Sequence, residues 1–363
     1  MSFQYHMPVR VIAGADCVWE NGALFAPFGA RALIVTGRSS AKNGALDDVA
    51  AVLRRNGQAF AVYDRVEANP SVATVRECAA LARSFGADFI VAAGGGSPMD
   101  AAKAVALCAR QEVGDIFTHP IGGDVLPMIH IPTTAGTGSE VTQYSVLTDD
   151  AAQTKRSIAA PQLFPRLAFL DGKYMATLPQ SVTVNTALDA LSHAVEGMLS
   201  VRAGAFSDAL ARESLRLLGG EFPALCAGEY AAEDRQTLLQ AAALAGMVIA
   251  NTGTTPVHGM GYSLTYFRGV PHGRANGLLL PAFLEACARR IPQRVREICG
   301  AFGADLGEFA RRVDVLLGAR ERCTEAELRD YAARAAKNRN VENCAVRFSE
   351  EDLLDVMRRS LGD

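Results

Sequence analysis

The chain has 363 residues, enough for two domains with separate cores. Hydrophobic residues make up 49% and charged residues 21%, and the formal net charge is -3. This balance gives no reason to expect nucleic acid or an anionic membrane as partner, and no apolar run reaches the roughly 18 residues that span a bilayer. The opening string MSFQYHMPVRVIAG lacks the basic-then-apolar order of a signal peptide and alternates like a strand. Residues 30–37 (ARALIVTG) form a short buried strand, 44–57 a helix stopped by glycine, and 58–66 a second strand. A second helix covers 71–86, introduced by Asn69-Pro70, and a third strand covers 87–96. A third helix follows over 97–110, and 127–134 reads as a fourth strand. This alternation calls for a parallel sheet with helices on both faces. From about residue 179 long helical patterns dominate, so the expected domains are 1–178, α/β, and 179–363, all helical. Eight cysteines are scattered without CxxC pairs, which suggests reduced thiols and a cytoplasmic protein.

Two glycine-bearing loops follow strands. In VAAGGGSPMDAAKAVA, Gly94, Gly95 and Gly96 permit a tight turn and close approach to a phosphate, and the next helix presents the positive end of its dipole. Ser97 offers a hydroxyl or an N-cap. The GxGxxG fingerprint is absent, and a plain tight βα turn is the alternative reading. IPTTAGTGSEVT places Thr133, Thr134, Thr137, Ser139 and Thr142 in one stretch, also after a strand, where open α/β sheets bind ligands.

Asp189 and His193 lie four apart in NTALDALSHAVEG, on one helix face. His258 and His272 lie fourteen apart, each followed by glycine. One carboxylate and three imidazoles suit Zn(II) or Fe(II), not Ca(II) or Mg(II).

The strings GGGSPMDAAKAVA, IPTTAGTGSEVT, DALSHAVEG and HGMGYSLTYFRGVPHGRANGLLLP, in that order, resemble the iron-containing (group III) alcohol dehydrogenases. Within that family they look most like the 1,3-propanediol, lactaldehyde and butanol types. The likeness runs to about residue 285 and is weaker beyond. It implies a dinucleotide-binding α/β domain, a helical metal-binding domain of dehydroquinate synthase-like architecture, and a homodimer. It also implies hydride transfer between NAD(P)(H) and a small primary alcohol, aldehyde or diol, assisted by a Lewis-acid metal. The implied ligands, and hence catalytic residues, are Asp189, His193, His258 and His272, holding Fe(II), with Zn(II) as the alternative. Gly95, Gly96 and Ser97 would carry the pyrophosphate with Asp100 at the nicotinamide-side edge. Thr133, Thr134 and Ser139 would line the cofactor site, and Lys155 would reach the ribose. Two departures stand out. Gly37 occupies the place where many NAD-dependent members carry Asp, so Ser39, Ser40, Arg38 or Lys42 could bind a 2′-phosphate, which favours NADP(H) over NAD(H). Tyr262 stands where many members carry a non-ligand histidine. Competing readings are a dehydroquinate synthase-like or glycerol(-phosphate) dehydrogenase-like enzyme, and a non-catalytic nucleotide- or metal-binding sensor.

Overall fold

A computed structural model describes residues 3–38 and 42–362. The chain forms two compact units, Met7–Leu178 and a second built from the described residues of Met1–His6 and Pro179–Asp363.

The first unit is built on six parallel strands: β1 (Arg10–Ala13), β2 (Arg31–Thr36), β3 (Ala59–Tyr63), β4 (Phe89–Gly94), β5 (Met128–Pro132) and β8 (Leu167–Leu170), in the order β1-β8-β5-β4-β2-β3. Its helices are α1 (Cys17–Glu20), α2 (Ala45–Arg55), α3 (Val72–Phe85) and α4 (Gly96–Arg110). β4 and β5 are buried along their whole length and β2 after its first residue, as strands covered on both faces must be. Alternate residues feed two cores. Leu33, Val35, Ile90 and Ala92 pack with α3 and α4, while Ala32, Ile34, Phe89 and Val91 pack with α2. The expected helix over 71–86 is bounded by its caps. Ser71 Oγ accepts from the Thr74 N–H at 3.1 Å, Gly86 closes the end at φ +68°, and Val75, Cys78, Ala79 and Ala82 form the buried stripe. The strand order reverses between β2 and β4, which puts Gly37 and the Gly94–Gly96 turn at the carboxyl ends flanking that switch point.

Three details depart from the sequence expectation. A two-stranded antiparallel hairpin, β6 (Tyr144–Asp149) with β7 (Thr154–Ala159), follows the hydroxyl-rich loop, and β8 completes the sheet. Polar Ser145 and Asp149 at buried positions of β6, with Tyr144 and Val146 at half-buried ones, hid its alternation. The third strand ends at Gly94, because Gly94 at φ +157° leaves the strand conformation and Gly95 caps α4. At the amino terminus only Arg10–Ala13 is a strand, while Phe3 and Tyr5 pack their rings on Phe206 of the second unit, at 5.2 and 5.8 Å.

The second unit consists of helices α5 (Gln180–Met198), α6 (Ala205–Gly220), α7 (Phe222–Ala227), α8 (Ala232–Thr252), α9 (Pro256–Arg268), α10 (His272–Ala288), α11 (Pro292–Ala301), α12 (Leu306–Leu317), α13 (Glu325–Ala336), α14 (Arg339–Glu342) and α15 (Glu350–Leu361). α5 is its central helix, packed by α6, α8 and α10, and is buried continuously from Ala187 to Met198. Among the described residues no helix is long and apolar enough to cross a membrane.

Candidate metal centre

Helix α5 places Asp189 and His193 on one face because they are separated by one turn. Helix α9 begins at Pro256, a residue suited to a first turn, and carries His258. It stops at Gly269, φ +63°, and after Pro271 helix α10 starts on His272 itself. Glycine brings α10 onto α5: a Cβ on Gly273 would overlap the Asn185 carbonyl oxygen, and one on Gly277 would lie 2.9 Å from Leu188 Cδ1.

The four side chains meet as a result. The Nε2 atoms of His193, His258 and His272 lie 3.8, 3.8 and 3.7 Å from a single oxygen, Asp189 Oδ1. Ligand atoms of Asp189, His258 and His272 all fall within 4.8 Å of one another. His193 stacks on His258, with ring centroids 4.8 Å apart, and His258 meets His272 edge-on at 5.2 Å. Bonds of about 2.1 Å in a tetrahedron separate ligand atoms by about 3.4 Å, so small side-chain adjustments would let Asp189, His258 and His272 reach one divalent ion, while His193, outside that group but 3.8 Å from Asp189 Oδ1, would need a larger one to join them. The donor set of one carboxylate and three imidazoles matches iron(II) or zinc. Asp189, His193 and His258 are buried, whereas the His272 side chain is 26% exposed and forms the accessible wall. Burial pushes the Asp189 carboxyl up, but His193, His272, His258 and the Asn276 amide outweigh it and hold it below the ordinary carboxylate value, ready to ligate.

Sequence reasoning passed over two residues. Asn276, one turn after His272, directs its Nδ2 at Asp189 Oδ1 (3.0 Å), His258 Nε2 (3.2 Å) and His272 Nε2 (3.4 Å). Glu196, two turns after Asp189, is fully buried against His258. The spacing of four from His272 and seven from Asp189 was the available signal for each. Tyr262 stacks on His272 with centroids 5.9 Å apart, which fixes its place beside the ligand.

In the α/β unit, the glycine turn lies against the hydroxyl-rich loop. A Cβ on Gly95 would come within 3.2 Å of Thr134 Oγ1, and one on Gly96 within 2.5 Å of Thr137 Cγ2. The Thr133 N–H donates to the Gly94 carbonyl at 2.9 Å. Ser97 is not the N-cap, since Gly95 holds that position, and Ser97 Oγ accepts from the Asn69 N–H at 3.2 Å. Asp100 and Ser139 belong to a buried polar framework. The Ser139 hydroxyl donates to Asp100 Oδ1 at 2.5 Å, and Asp100 Oδ2 accepts from the Val146 N–H at 3.1 Å. Lys103 Nζ, wholly buried, donates to Ser139 Oγ (2.7 Å), Thr142 Oγ1 (3.2 Å) and the Tyr144 carbonyl (2.7 Å). Burial raises the Asp100 carboxyl despite Lys103, and burial lowers Lys103 to about 8. Lys155 on β7 is half-buried and near enough for its charge to act on Asp100. Gly37 follows β2, where a Cβ would stand 3.1 Å from the Val66 carbonyl, so its backbone is also closely packed. Arg38 and Lys42 are exposed, while Ser39 and Ser40 lie outside the described residues. Replacing Lys103 with Met should cost about 2 kcal/mol in urea unfolding, because its buried partners lose their donor; an unchanged midpoint would show that the ammonium does not hold this loop.

A family model described as iron-containing alcohol dehydrogenase matches residues 8–172, and one for the carboxyl-terminal part of the Fe-containing alcohol dehydrogenase family matches 183–361. Lactaldehyde reductase of Escherichia coli (strain K12) is 34% identical over 278 residues, 75% of this chain and 72% of the relative. The solved structure of an iron-containing alcohol dehydrogenase from Thermotoga maritima superposes with a TM-score of 0.92 at 37% identity, covering 100% of both chains. A sulfoacetaldehyde reductase from Bifidobacterium kashiwanohense, solved in complex with NAD+, superposes with a TM-score of 0.90 at 29% identity, covering 100% of this chain and 99% of that one.

Proposed function

Since the chain belongs to the iron-containing alcohol dehydrogenase family, we propose that Asp189, His193, His258 and His272 hold Fe(II), with Zn(II) as the alternative, in an enzyme that interconverts a small primary alcohol or diol with its aldehyde. The chain is an NAD(P)-dependent alcohol oxidoreductase. The dehydroquinate synthase-like, glycerol(-phosphate) dehydrogenase-like and sensor readings find no favour among its relatives. The observation that carries the proposal is the convergence of three imidazole Nε2 atoms on Asp189 Oδ1 at 3.7–3.8 Å.

When bound, a divalent ion at this place supplies Lewis acidity that stabilises negative charge on a substrate oxygen. The chain's own residues do the positioning. Asp189 provides the single anionic donor, Asn276 steadies it through a 3.0 Å hydrogen bond, and the partly exposed His272 leaves one side accessible. Tyr262, stacked on His272, puts a phenol at this position, so no imidazole there relays a proton. Hydride transfer itself is the chemistry of the nicotinamide, which the protein binds and orients. Gly94, Gly95, Gly96 and Ser97 at the start of α4 would take the pyrophosphate. Thr133, Thr134 and Lys155 would line the rest of the dinucleotide site, and Asp100 and Ser139 would support it from behind through the Lys103 framework.

We favour NADP(H) over NAD(H). Gly37 removes the carboxylate that would repel a 2′-phosphate, and the exposed Arg38 and Lys42 follow it in the chain and could supply positive charge. The NAD+ complex of the sulfoacetaldehyde reductase keeps NAD(H) as the rival. kcat/KM should be about tenfold higher with NADPH than with NADH, and Arg38→Ala should erase most of that difference, as one charge-assisted hydrogen bond warrants. Equal or higher efficiency with NADH in the unmodified enzyme would reverse the assignment. We also infer a cytoplasmic homodimer. The eight free thiols, seven of them buried, support a reducing compartment, and the dimer rests on the family likeness.

The proposal as a whole is tested by screening short aldehydes, alcohols and diols for nicotinamide-linked turnover. Turnover of at least one of them that disappears with the metal is expected, and full metal loading without turnover on any would favour a non-catalytic protein.

A further inference from the structure

We propose that Glu196 is a positioning residue of the metal centre: it fixes the tautomer and ring direction of His258 so that Nε2 is offered to the ion. The inference rests on the reading of Asp189, His193, His258 and His272 as metal ligands and assigns a role to a residue outside that set. Glu196 lies seven residues after Asp189 on α5, hence on nearly the same face, and its side chain is 0% exposed. Its two oxygens are divided between two tasks. Oε1 accepts from the Thr255 N–H and the Thr255 hydroxyl, both at 2.8 Å, and from the His258 N–H at 3.4 Å, which fastens the start of α9 to α5. Oε2 is hydrogen-bonded to His258 Nδ1.

Oε2, like Oε1 with its three donors, stands as an acceptor, so the proton between them belongs to Nδ1, and in a neutral imidazole Nε2 then carries the lone pair. That Nε2 is the atom 3.8 Å from Asp189 Oδ1. A second observation agrees. The Asn276 amide nitrogen, which can only donate, stands 3.2 Å from His258 Nε2 and so marks it as an acceptor. Carboxylates behind a ligating imidazole orient it and raise its basicity, and their loss typically lowers metal affinity about 10- to 100-fold.

Glu196→Gln separates this role from simple packing. The Thr255 N–H cannot reverse its polarity, so the amide oxygen must take the Oε1 place and the NH2 group must face His258 Nδ1. Nδ1 is then forced to accept, and the proton moves to Nε2, the atom meant for the ion. Shape and volume are almost unchanged.

The test titrates metal-free wild type and Glu196→Gln with Zn2+ in competition with a chromophoric chelator, and records melting of both metal-free proteins. The expected result is a Kd about 10- to 100-fold weaker for Glu196→Gln with little change in metal-free melting. Wild-type affinity in a folded Glu196→Gln protein would overturn the proposal. Should the variant fail to fold, nitrogen NMR of [15N]histidine-labelled, Zn2+-loaded wild type decides, with His258 assigned by its loss in His258→Asn. A protonated Nδ1 on a metal-bound His258 supports the assignment, and an unprotonated or metal-bound Nδ1 overturns it. Wild type that binds no Zn2+ would overturn the metal reading itself, a different outcome from equal binding by both proteins.

Discussion

Replacing His272 with Ala should abolish turnover while leaving the chain folded. His272 is the first residue of α10 and its side chain is 26% exposed, so truncation opens little buried volume. Alanine is also a good helix former. The chemical loss is larger. One of three imidazoles at 3.7–3.8 Å from Asp189 Oδ1 disappears, and the remaining set no longer closes around an ion on its accessible side. Tyr262 also loses the ring on which it stacks. A Lewis acid is worth several kcal/mol at the reacting oxygen, so kcat/KM should fall at least about 10³-fold, or about 4 kcal/mol. Steady-state kinetics, with circular dichroism as the control for folding, measures this. Retained turnover in metal-depleted His272→Ala protein would remove the metal from the mechanism.

Gly273→Ala should be as damaging through packing alone. The new methyl would overlap the Asn185 carbonyl oxygen of α5 and lie 2.8 Å from Asp189 Cβ. A backbone carbonyl within a helix cannot swing aside as a long side chain can, so α10 must move off α5. Overpacked cores usually cost about 1–3 kcal/mol, and a clash with backbone belongs at or above the top of that range. The same displacement separates His272 from Asp189, because Gly273 directly follows His272 and packs beside Asp189. Melting should therefore fall and metal affinity should fall with it. The neighbouring change Arg274→Lys should leave metal affinity nearly intact, since Arg274 bonds to Glu321 and the Leu317 carbonyl and not to the ligands. Gly273→Ala with wild-type melting and metal content would show that α5 and α10 are not held by this approach.

Both effects arise from features that differ in how openly the sequence displays them. The parallel sheet was legible because each strand is a short apolar run followed by helical periodicity. The helix over 71–86 was legible to within a residue because Ser71 and Gly86 are strong caps. The hairpin of β6 and β7 was not, since Ser145, Thr148, Lys155 and Arg156 resemble loop composition and their pairing depends on a partner strand. Gly94–Gly96 read as the tail of a strand, although positive φ at Gly94 ends it.

At the metal centre, Asp189 and His193 announced themselves by helical spacing, and His258 and His272 by likeness to known motifs. Their convergence, however, is a tertiary fact that depends on Gly273 and Gly277. Glu196 stayed hidden because a charged residue on a helix ordinarily marks the solvent face, whereas α5 is buried from Ala187 to Met198. Asn276 stayed hidden because its meaning lies in its approach to Asp189 Oδ1 and two imidazole Nε2 atoms, which sequence spacing alone does not place around it.

In the proposed mechanism Asp189, His193, His258 and His272 together bind one divalent ion on which hydride transfer depends. The most direct measurement is metal analysis of anaerobically purified protein, coupled to nicotinamide-linked turnover before chelation, after chelation and after return of Fe2+. One ion per chain, loss of turnover when the ion is removed, and recovery when Fe2+ is restored are expected. Full turnover by protein shown to contain no metal would contradict this mechanism.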